Sequence, residues 1–174
     1  RVALSLHAGE ALHVIGANGI GKSSLIRLVA GLLPAAHGTV TLAARAALVD
    51  ENPALDRDLA VGRALAFWAA LDGGGADAVP AALARLGIGH LAEVPVRFLS
   101  TGQRKRAALA RLIASDAPLW LLDEPGNGLD RDGLALLETL VAAHRAQGGA
   151  VLLASHLPLA MAGAAMLDLS AHRP

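Results

Sequence analysis

The side chains best suited to bind phosphate lie in one eight-residue run, residues 16–23. The run reads Gly-Ala-Asn-Gly-Ile-Gly-Lys-Ser and fits the phosphate-loop pattern G-x-x-x-x-G-K-[ST]. Its glycines let successive backbone N–H groups point into one concavity, where they bind phosphate oxygens. In this pattern Lys22 reaches the β- and γ-phosphates, and the Ser23 hydroxyl holds Mg²⁺. The predicted nucleotide-binding residues are Gly16, Ala17, Asn18, Gly19, Ile20, Gly21, Lys22, Ser23 and Ser24.

Two carboxylates follow an apolar run at 119–122. An aspartate at the end of such a strand holds Mg²⁺ in phosphate-loop enzymes, which makes Asp123 the second predicted metal ligand. Glu124 is one residue further on, so its side chain points to a different side. From there it can orient and deprotonate an attacking water. The alternative is an acidic pair on the surface at a strand end, and the upstream loop favours the catalytic interpretation.

The elements around these residues predict an α/β fold. Residues 11–15 read as a buried strand and 22–33 as a helix, so the loop has the strand–loop–helix context that the motif requires. Alternating strands and helices indicate a mostly parallel sheet covered by helices on both faces. The further predicted strands are 2–6, 39–42, 46–49, 119–122, 151–154 and 166–169, and the further helices are 59–71, 78–86, 100–114 and 130–147.

Two departures from a simple parallel sheet are expected. Residues 2–6 should pair with 11–15 as small antiparallel N-terminal strands, joined by a turn at 7–10. The largely helical span of about 58–114 should form a helical subdomain inserted into a single domain covering residues 1–174. The predicted fold is therefore a RecA-like phosphate-loop domain with a helical insertion.

Composition excludes several classes of function. The chain has 174 residues, with 15 Lys and Arg against 15 Asp and Glu, so no net field attracts nucleic acid, and no nucleic-acid partner is expected. The absence of cysteine excludes disulfides, thiol catalysis and cysteine-bound zinc. No run approaches the ~20 apolar residues of a membrane span. The basic cluster at 104–106 is interpreted as the solvated face of a helix.

A third motif points to a family. Leu99-Ser-Thr-Gly-Gln103, followed by a basic helix, resembles the signature sequence of ATP-binding cassette (ABC) ATPases. Residues 125–130, Pro-Gly-Asn-Gly-Leu-Asp, resemble the D-loop of that family, and Ser155-His156 resembles its switch histidine. Together with residues 16–23 and 123–124, these motifs stand in the family's order over nearly the whole chain.

The resemblance implies a mechanism and partners. Members of the family bind ATP with Mg²⁺ and work as head-to-tail dimers with a second nucleotide-binding subunit. ATP on the phosphate loop of one subunit is capped by the signature of the other, here Ser100, Gly102 and Gln103, and Asp130 touches the opposing subunit. The implied catalytic residues are Glu124, His156, which reaches the γ-phosphate, and Lys22.

Three positions depart from the family pattern. Thr101 replaces the first glycine of the signature. The family's glutamine, which contacts Mg²⁺ or water, has Asn52 as its nearest counterpart, a shorter amide that predicts a weaker or water-mediated metal contact. The aromatic residue that stacks on adenine precedes the first strand in the family. Since this chain begins at Arg1 and has no tyrosine, either residues before Arg1 supply that aromatic residue or adenine is held in another way.

Within the family, the chain resembles most closely the ATP-binding subunits of bacterial haem exporters of cytochrome c biogenesis. The residues that carry this likeness are 21–27, 30–33, 52–55, 66–68, 95–100 and 103–106. The likeness implies integral membrane subunits as partners and a peripheral location on the cytoplasmic face of the inner membrane. The alternatives are the ATPase subunit of another ABC transporter, a soluble ABC ATPase without a transport role, and a subunit that dimerises without hydrolysis.

Overall fold

A computed structural model describes residues 2–50, 53–75, 77–156 and 159–172. Its centre is a five-stranded sheet in the order β2-β3-β4-β1-β5, in which every neighbouring pair is parallel. The strands are β1 (Ala11–Ile15), β2 (Ala46–Val49), β3 (Leu119–Asp123), β4 (Ala150–Ala154) and β5 (Ala165–Asp168). The helices are α1 (Lys22–Val29), α2 (Val61–Leu71), α3 (Ala78–Arg85), α4 (Thr101–Ala114) and α5 (Arg131–Ala146), with short 3₁₀ turns at Gly89–Leu91, Val96–Phe98 and Leu169–His172.

Helices cover both faces of the sheet, as the apolar strands predict. Because successive strand residues point to opposite faces, each of the strands β1 to β4 contributes to two hydrophobic clusters. Helix α1 packs on one face, and helices α2 to α5 belong to the cluster on the other. The α1 face buries Leu12, Val14, Leu121, Leu152 and Ala154. The opposite face buries Ala11, Ala47, Val49, Trp120, Leu122, Val151 and Leu153.

The register of the strands brings the predicted motifs to one edge of the sheet. Asp123 at the end of β3 pairs with Ala154 at the end of β4, and Ala154 pairs with Val14 of β1. Since all three strands are parallel, the segments that follow them leave the sheet side by side. Ligands of open α/β sheets bind outside these carboxyl ends. The fold therefore assembles the phosphate loop, the carboxylates and the histidine from three separate parts of the chain.

The expected antiparallel N-terminal strands are wrong for the described residues. Residues 2–6 and 39–42 have no strand structure. Strand β1 is paired on one side with β4 and on the other with β5, so neither edge of β1 is left for residues 2–6. Val2, Leu4, Val40 and Leu42 are exposed, so these segments also gain little from burial. A lone two-stranded pairing is marginal in water without such burial.

Helix α1 ends earlier than Leu33, its predicted last residue. Gly31 takes the left-handed conformation, with φ at 74°. The N–H of Gly31 donates to the carbonyl of Leu28 at 3.1 Å, and the N–H of Leu32 donates to that of Arg27 at 2.8 Å. These two bonds form a Schellman cap, which satisfies the last carbonyls of the helix and stops it.

The basic cluster at 104–106 is not a solvated face, as the sequence had suggested. Arg104 donates to the carbonyl of Leu99 at 2.7 Å, Lys105 is buried, and Arg106 lies 3.8 Å from the carboxylate of Asp130. Helix α4 packs against α2, α3, α5 and β2, so little of its surface faces solvent. The charges of this cluster are therefore largely engaged inside the subunit.

Candidate functional site

The phosphate loop wraps around the side chain of its own lysine. Gly16, Gly19 and Gly21 have φ angles of 142°, 78° and 112°, a region that side chains disfavour. Lys22 is buried, and its ammonium donates to the carbonyl of Gly16 at 2.9 Å and, more weakly, to that of Ala17 at 3.4 Å. A buried ammonium needs acceptor oxygens, and here the loop supplies them. The loop thus holds a cation where incoming phosphate oxygens can replace backbone carbonyls.

Ser23 and Asp123 meet although 100 residues separate them in sequence. The Ser23 hydroxyl donates to Asp123 Oδ1 at 2.9 Å. Burial raises the pKa of Asp123, while the bond from Ser23 and the charge of Arg27 act to lower it. The contact brings together two hard oxygen ligands, one from the start of α1 and one from the end of β3, as the sequence predicts for a magnesium site.

Glu124 and His156 form a second pair at the same edge. Glu124 Oε2 accepts from Nδ1 of His156 at 2.8 Å and from the backbone N–H of His156 at 3.2 Å. Glu124 has φ at 47°, a left-handed conformation that costs a residue with a side chain about 1–3 kcal/mol and concentrates at functional sites. The turn directs the carboxylate towards the segment that follows β4, where the histidine stands.

These residues line one open cavity of about 360 Å³. Lys22 and Ser23 of the loop, the Glu124–His156 pair and Asn127 contribute to its wall. Asn127 lies inside the 125–130 motif but was not among the predicted site residues. The backbone N–H of Asn127 donates to the carbonyl of Glu124 at 3.2 Å, so a tight turn brings it back to the site. The full lining is Asn18, Gly19, Gly21, Lys22, Ser23, Ser24, Glu124, Asn127 and His156.

The segment at 99–103 begins helix α4 with a capping box. Ser100 is the N-cap residue, and its hydroxyl accepts from the N–H of Gln103 at 3.2 Å. The side chain of Gln103 returns the contact, since its Oε1 accepts from the N–H of Ser100 at 2.9 Å. Ser100 is exposed, and the start of the helix carries the positive end of its dipole. This surface is suited to bind an anion that reaches it from outside the subunit.

Comparison with known proteins decides the family. The sequence profile of the family described as ABC transporter matches residues 1–127. The chain is 56% identical to the cytochrome c biogenesis ATP-binding export protein CcmA of Sphingopyxis alaskensis, over 92% of this chain and 82% of that protein. The chain belongs to the ABC transporter family. It is an ATP-binding, ATP-hydrolysing subunit of such a transporter.

Other relatives and structures agree. The protein of the same name from Zymomonas mobilis is 50% identical over 97% of this chain and 76% of its own length. The structure of cbiO1 from Clostridium perfringens, described as part of the ABC transporter complex cbiONQ, superposes with a TM-score of 0.72 and 27% identity, covering 90% of this chain and 70% of that one. ABC ATPases of this family dimerise and work with membrane transporter subunits.

The ABC family features divide into two groups in space. The phosphate-loop residues 18–19 and 21–24, with Glu124 and His156, line the cavity. Gly16, Ala17, Ile20 and Asp123 are not part of the lining. Gly16 and Ala17 accept from the side chain of Lys22, and Asp123 accepts from that of Ser23. The signature residues Ser100, Gly102 and Gln103 and the D-loop residue Asp130 are not part of the lining. Asn52 lies outside the described residues.

The segment 125–130, which resembles the D-loop of the family, packs against the start of α4, which resembles its signature. A Cβ on Gly128 would come within 3.1 Å of the Thr101 methyl, and Gly128 has φ at 79°, so a glycine is required here. Asp130 caps helix α5, accepting from the N–H of Gly133 at 2.8 Å, and its side chain is 73% exposed. Thr101, the departure from the usual glycine, therefore fits the helical start of α4 and fills space beside the D-loop.

The residues at the cavity suit a nucleoside triphosphate with Mg²⁺. Mg²⁺ binds proteins through one or two carboxylates together with substrate phosphates, and Ser23 with Asp123 offers such a set. Among the described residues, no group of three or more His, Asp or Glu side chains is arranged to hold a metal without a substrate. In the same part of the chain, no helix is long and apolar enough to cross a bilayer.

Proposed function

We propose that this subunit powers an ABC transporter of cytochrome c biogenesis, of the haem-export type, by hydrolysing Mg²⁺-ATP at the cavity between its phosphate loop and Glu124. The observation that carries the chemistry is the meeting of two pairs, Ser23 with Asp123 and Glu124 with His156, at one edge of the sheet. The high identity to relatives named as cytochrome c biogenesis ATP-binding export proteins supports the assignment to that pathway. A single nucleotide-binding domain over residues 1–174, with a helical subdomain at about 58–114, is part of this proposal.

On binding the triphosphate, the phosphate loop exchanges hydrogen bonds within the loop for hydrogen bonds to phosphate oxygens. Backbone N–H groups of residues 16–24 bind phosphate oxygens, and the Lys22 ammonium leaves the carbonyls of Gly16 and Ala17 for the β- and γ-phosphates. Ser23 and Asp123 would hold Mg²⁺, which supplies charge neutralisation at the phosphates, with Asn52 as a further amide ligand. The Lys22 ammonium and the dipole of α1 stabilise negative charge where it grows during cleavage.

Glu124 acts as the general base. The attacking water gives a proton to the Glu124 carboxylate as the water oxygen bonds to the γ-phosphorus. The bond from that phosphorus to the β–γ bridging oxygen breaks, and ADP leaves with the electron pair. His156 holds Glu124 in place, because both its ring Nδ1 and its backbone N–H bind Oε2. With Nδ1 donating to the carboxylate, contact with the γ-phosphate falls to Nε2, which donates to a phosphate oxygen when it carries the second ring proton. The histidine can therefore link the state of the phosphate to the position of the base.

A second copy of the subunit completes the site. Ser100, Gly102, Gln103 and Asp130 lie on the surface away from the lining of their own cavity, which is the arrangement that a head-to-tail dimer requires. In the dimer, the Ser100 hydroxyl and the N–H groups at the start of α4 bind the γ-phosphate of the partner's ATP. Loss of that phosphate on hydrolysis weakens the contact and opens the dimer.

The other proposed partners are integral membrane subunits of the same transporter. They would place this chain peripherally on the cytoplasmic face of the bacterial inner membrane. This part of the proposal rests on the names of the relatives, since no residue of the cavity distinguishes one transported substrate from another.

Co-purification tests the transport assignment. The full-length tagged protein carrying Glu124→Gln, which retains ATP, is purified from detergent-solubilised native membranes, and the accompanying proteins are identified. Glu93→Gln, a matched change of an exposed glutamate outside the cavity, is the control. Stoichiometric multi-span proteins of cytochrome c biogenesis support the proposal. Membrane subunits of another transporter, a soluble partner or ribosomes would overturn the pathway and leave the ATPase chemistry standing.

A further inference from the structure

Helix α5 presents two opposite charges on one face. Glu138 and Arg145 are seven residues apart, which is nearly two full turns, so their side chains lie one above the other. Both line a second cavity of about 280 Å³, which shares no lining residue with the phosphate cavity. The other wall of this second cavity is formed partly by residues 160–162, which belong to the segment that follows the switch histidine.

The two charges hold this segment by its backbone. Glu138 Oε1 accepts from the N–H of Ala160 at 2.8 Å, and Arg145 Nη1 donates to the carbonyl of Ala162 at 2.7 Å. Arg145 also donates through Nε to the carbonyl of Gly9 at 3.0 Å, in the turn before β1. Met161, between the two anchor points, packs against the hydrophobic core. Hydrogen bonds to ionised side chains are short and roughly twice as strong as neutral ones.

These contacts favour a structural role over a ligand site. We call the side chains of Glu138 and Arg145, with the backbone groups that they bind, the brace. The carboxylate and the guanidinium, which would have to recognise a charged ligand, both bind backbone groups of this chain. The brace is also close to the catalytic pair along the chain. Three peptide units join His156 to Leu159, so their Cα atoms are at most about 11 Å apart. Residues 159–162 therefore limit how far His156 can move from its place beside Glu124.

We propose that Glu138 and Arg145 are positioning residues for His156, an inference that rests on the proposed role of His156 in hydrolysis. On its N-terminal side His156 is fixed by β4, whose last residue, Ala154, pairs with both β1 and β3. On its C-terminal side the brace from α5 provides the fixed point. The histidine needs both, because Nδ1 must stay within 2.8 Å of Glu124 while the other ring nitrogen faces the phosphate.

The same helix begins at the D-loop. Asp130 caps the first turn of α5 and is expected to contact the partner subunit, while Glu138 and Arg145 lie two and four turns further along. A rigid helix thus joins the dimer contact to the segment behind the switch histidine. By this route, formation of the dimer can hold His156 in position beside Glu124 when the partner subunit completes the ATP site.

The test compares Glu138→Ala with Glu138→Gln in ATP hydrolysis by the assembled transporter. Glutamine keeps the oxygen that accepts from Ala160, so we expect near-normal turnover. Alanine removes the acceptor, and we expect kcat to fall on the order of 10-fold with KM for ATP unchanged, less than the ~10²-fold cost of a full 1 Å misplacement. Thr139→Ala, an exposed change on the same helix, is the control and should behave as wild type. If Glu138→Ala fails to fold, Glu138→Asp is used in its place, because its side chain is one methylene shorter and withdraws the acceptor from Ala160.

A double variant separates this inference from the proposed function. If Glu138 acts through His156, then adding Glu138→Ala to His156→Ala lowers kcat no further, because the two changes are coupled. Independent, multiplicative losses would overturn the brace, as would normal kcat in Glu138→Ala beside a slow His156→Ala. Full activity of His156→Ala itself would instead refute the proposed role of the histidine.

Discussion

Glu124 and His156 meet through one carboxylate oxygen, which accepts from the ring Nδ1 at 2.8 Å and from the backbone N–H at 3.2 Å. The contact is built into the sheet. The N–H of Glu124 donates to the carbonyl of Ala154 at 2.8 Å, so the base and the histidine leave adjacent strands at the same level. The left-handed backbone of Glu124 then turns its carboxylate across to the histidine.

Lys22→Ala should weaken ATP binding. The lysine is the only side-chain cation in the loop, and its bonds to phosphate oxygens are charge-assisted, worth about 1.5–3 kcal/mol and therefore about 10- to 100-fold in affinity. Binding is measured by titration with a fluorescent ATP analogue. Arg85→Ala, an exposed cation on α3, is the control and should bind normally. Unchanged affinity in Lys22→Ala would remove the lysine from the phosphate site.

Asp123→Asn should stabilise the nucleotide-free protein at neutral pH. Burial raises the pKa of Asp123, so the folded state holds its proton more tightly than the unfolded chain. The stability that this carboxyl contributes is therefore full below its unfolded pKa of about 4 and is lost as pH rises through the higher native pKa. Asparagine has no such loss, and its amide oxygen can still accept from Ser23.

The measurement is urea unfolding of both proteins from acidic to neutral pH. The advantage of Asp123→Asn should grow as pH rises and level off above the native pKa, while the rise in Tm on adding Mg²⁺ and ATP should shrink. A variant that is less stable than wild type at neutral pH would contradict the conclusion that burial disfavours the charged form of Asp123.

Ser100→Asp should separate the two roles of the signature serine. Aspartate and asparagine are both good N-cap residues, so either change keeps the start of α4 intact and Tm close to wild type. The aspartate carboxylate, however, repels the γ-phosphate that the partner subunit presents. In the Glu124→Gln background, where the ATP-bound dimer accumulates, dimerisation followed by size-exclusion chromatography should be lost with Ser100→Asp and largely kept with Ser100→Asn. Equal dimerisation by the two variants would argue against a phosphate contact at Ser100.

Asn52→Gln should leave ATP binding intact and turnover equal or higher. The change restores the longer amide that the family carries after this strand, so the oxygen reaches the metal with less need for a bridging water. ATPase rates at varied Mg²⁺ concentration provide the measurement, with Asn52→Ala as the variant that removes the amide. A sharp loss of turnover in Asn52→Gln would mean that Asn52 serves another purpose.

The sequence predicted the local motifs better than the contacts between distant segments. Residues 16–23 form a loop that is closed by local backbone geometry, so the pattern alone located Lys22 and Ser23. The predicted strand at 2–6 was wrong because its pairing depends on which edge of β1 is free. The order of the strands in the sheet decides that, and it cannot be read from the alternation of strands and helices along the chain. The contact of Glu138 with Ala160 was not foreseen, since a carboxylate and a backbone N–H 22 residues apart leave no sequence signature.

The prediction of a solvated basic face at 104–106 was wrong for a similar reason. Charged residues on a helix are usually exposed, but here helix α4 is packed against neighbours on several sides, and tertiary contacts decide the outcome. Asn127 could have been found, because it stands inside a motif that the sequence matched. Its approach to the cavity depends on the turn that begins at Glu124. That turn requires a positive φ at Glu124, which the sequence does not reveal because the residue is not a glycine.

ATP-driven dimerisation of Glu124→Gln tests the central claim most directly. Glutamine keeps the shape of the base but cannot accept the proton, so turnover should fall by about 10²–10⁴-fold while ATP still binds. Light scattering after size-exclusion chromatography should then show a dimer that forms only with ATP and Mg²⁺, and Glu93→Gln should turn ATP over and stay monomeric under the same conditions. Near-normal hydrolysis by Glu124→Gln, or a monomer with ATP bound, would contradict an ATPase whose composite site closes around the γ-phosphate.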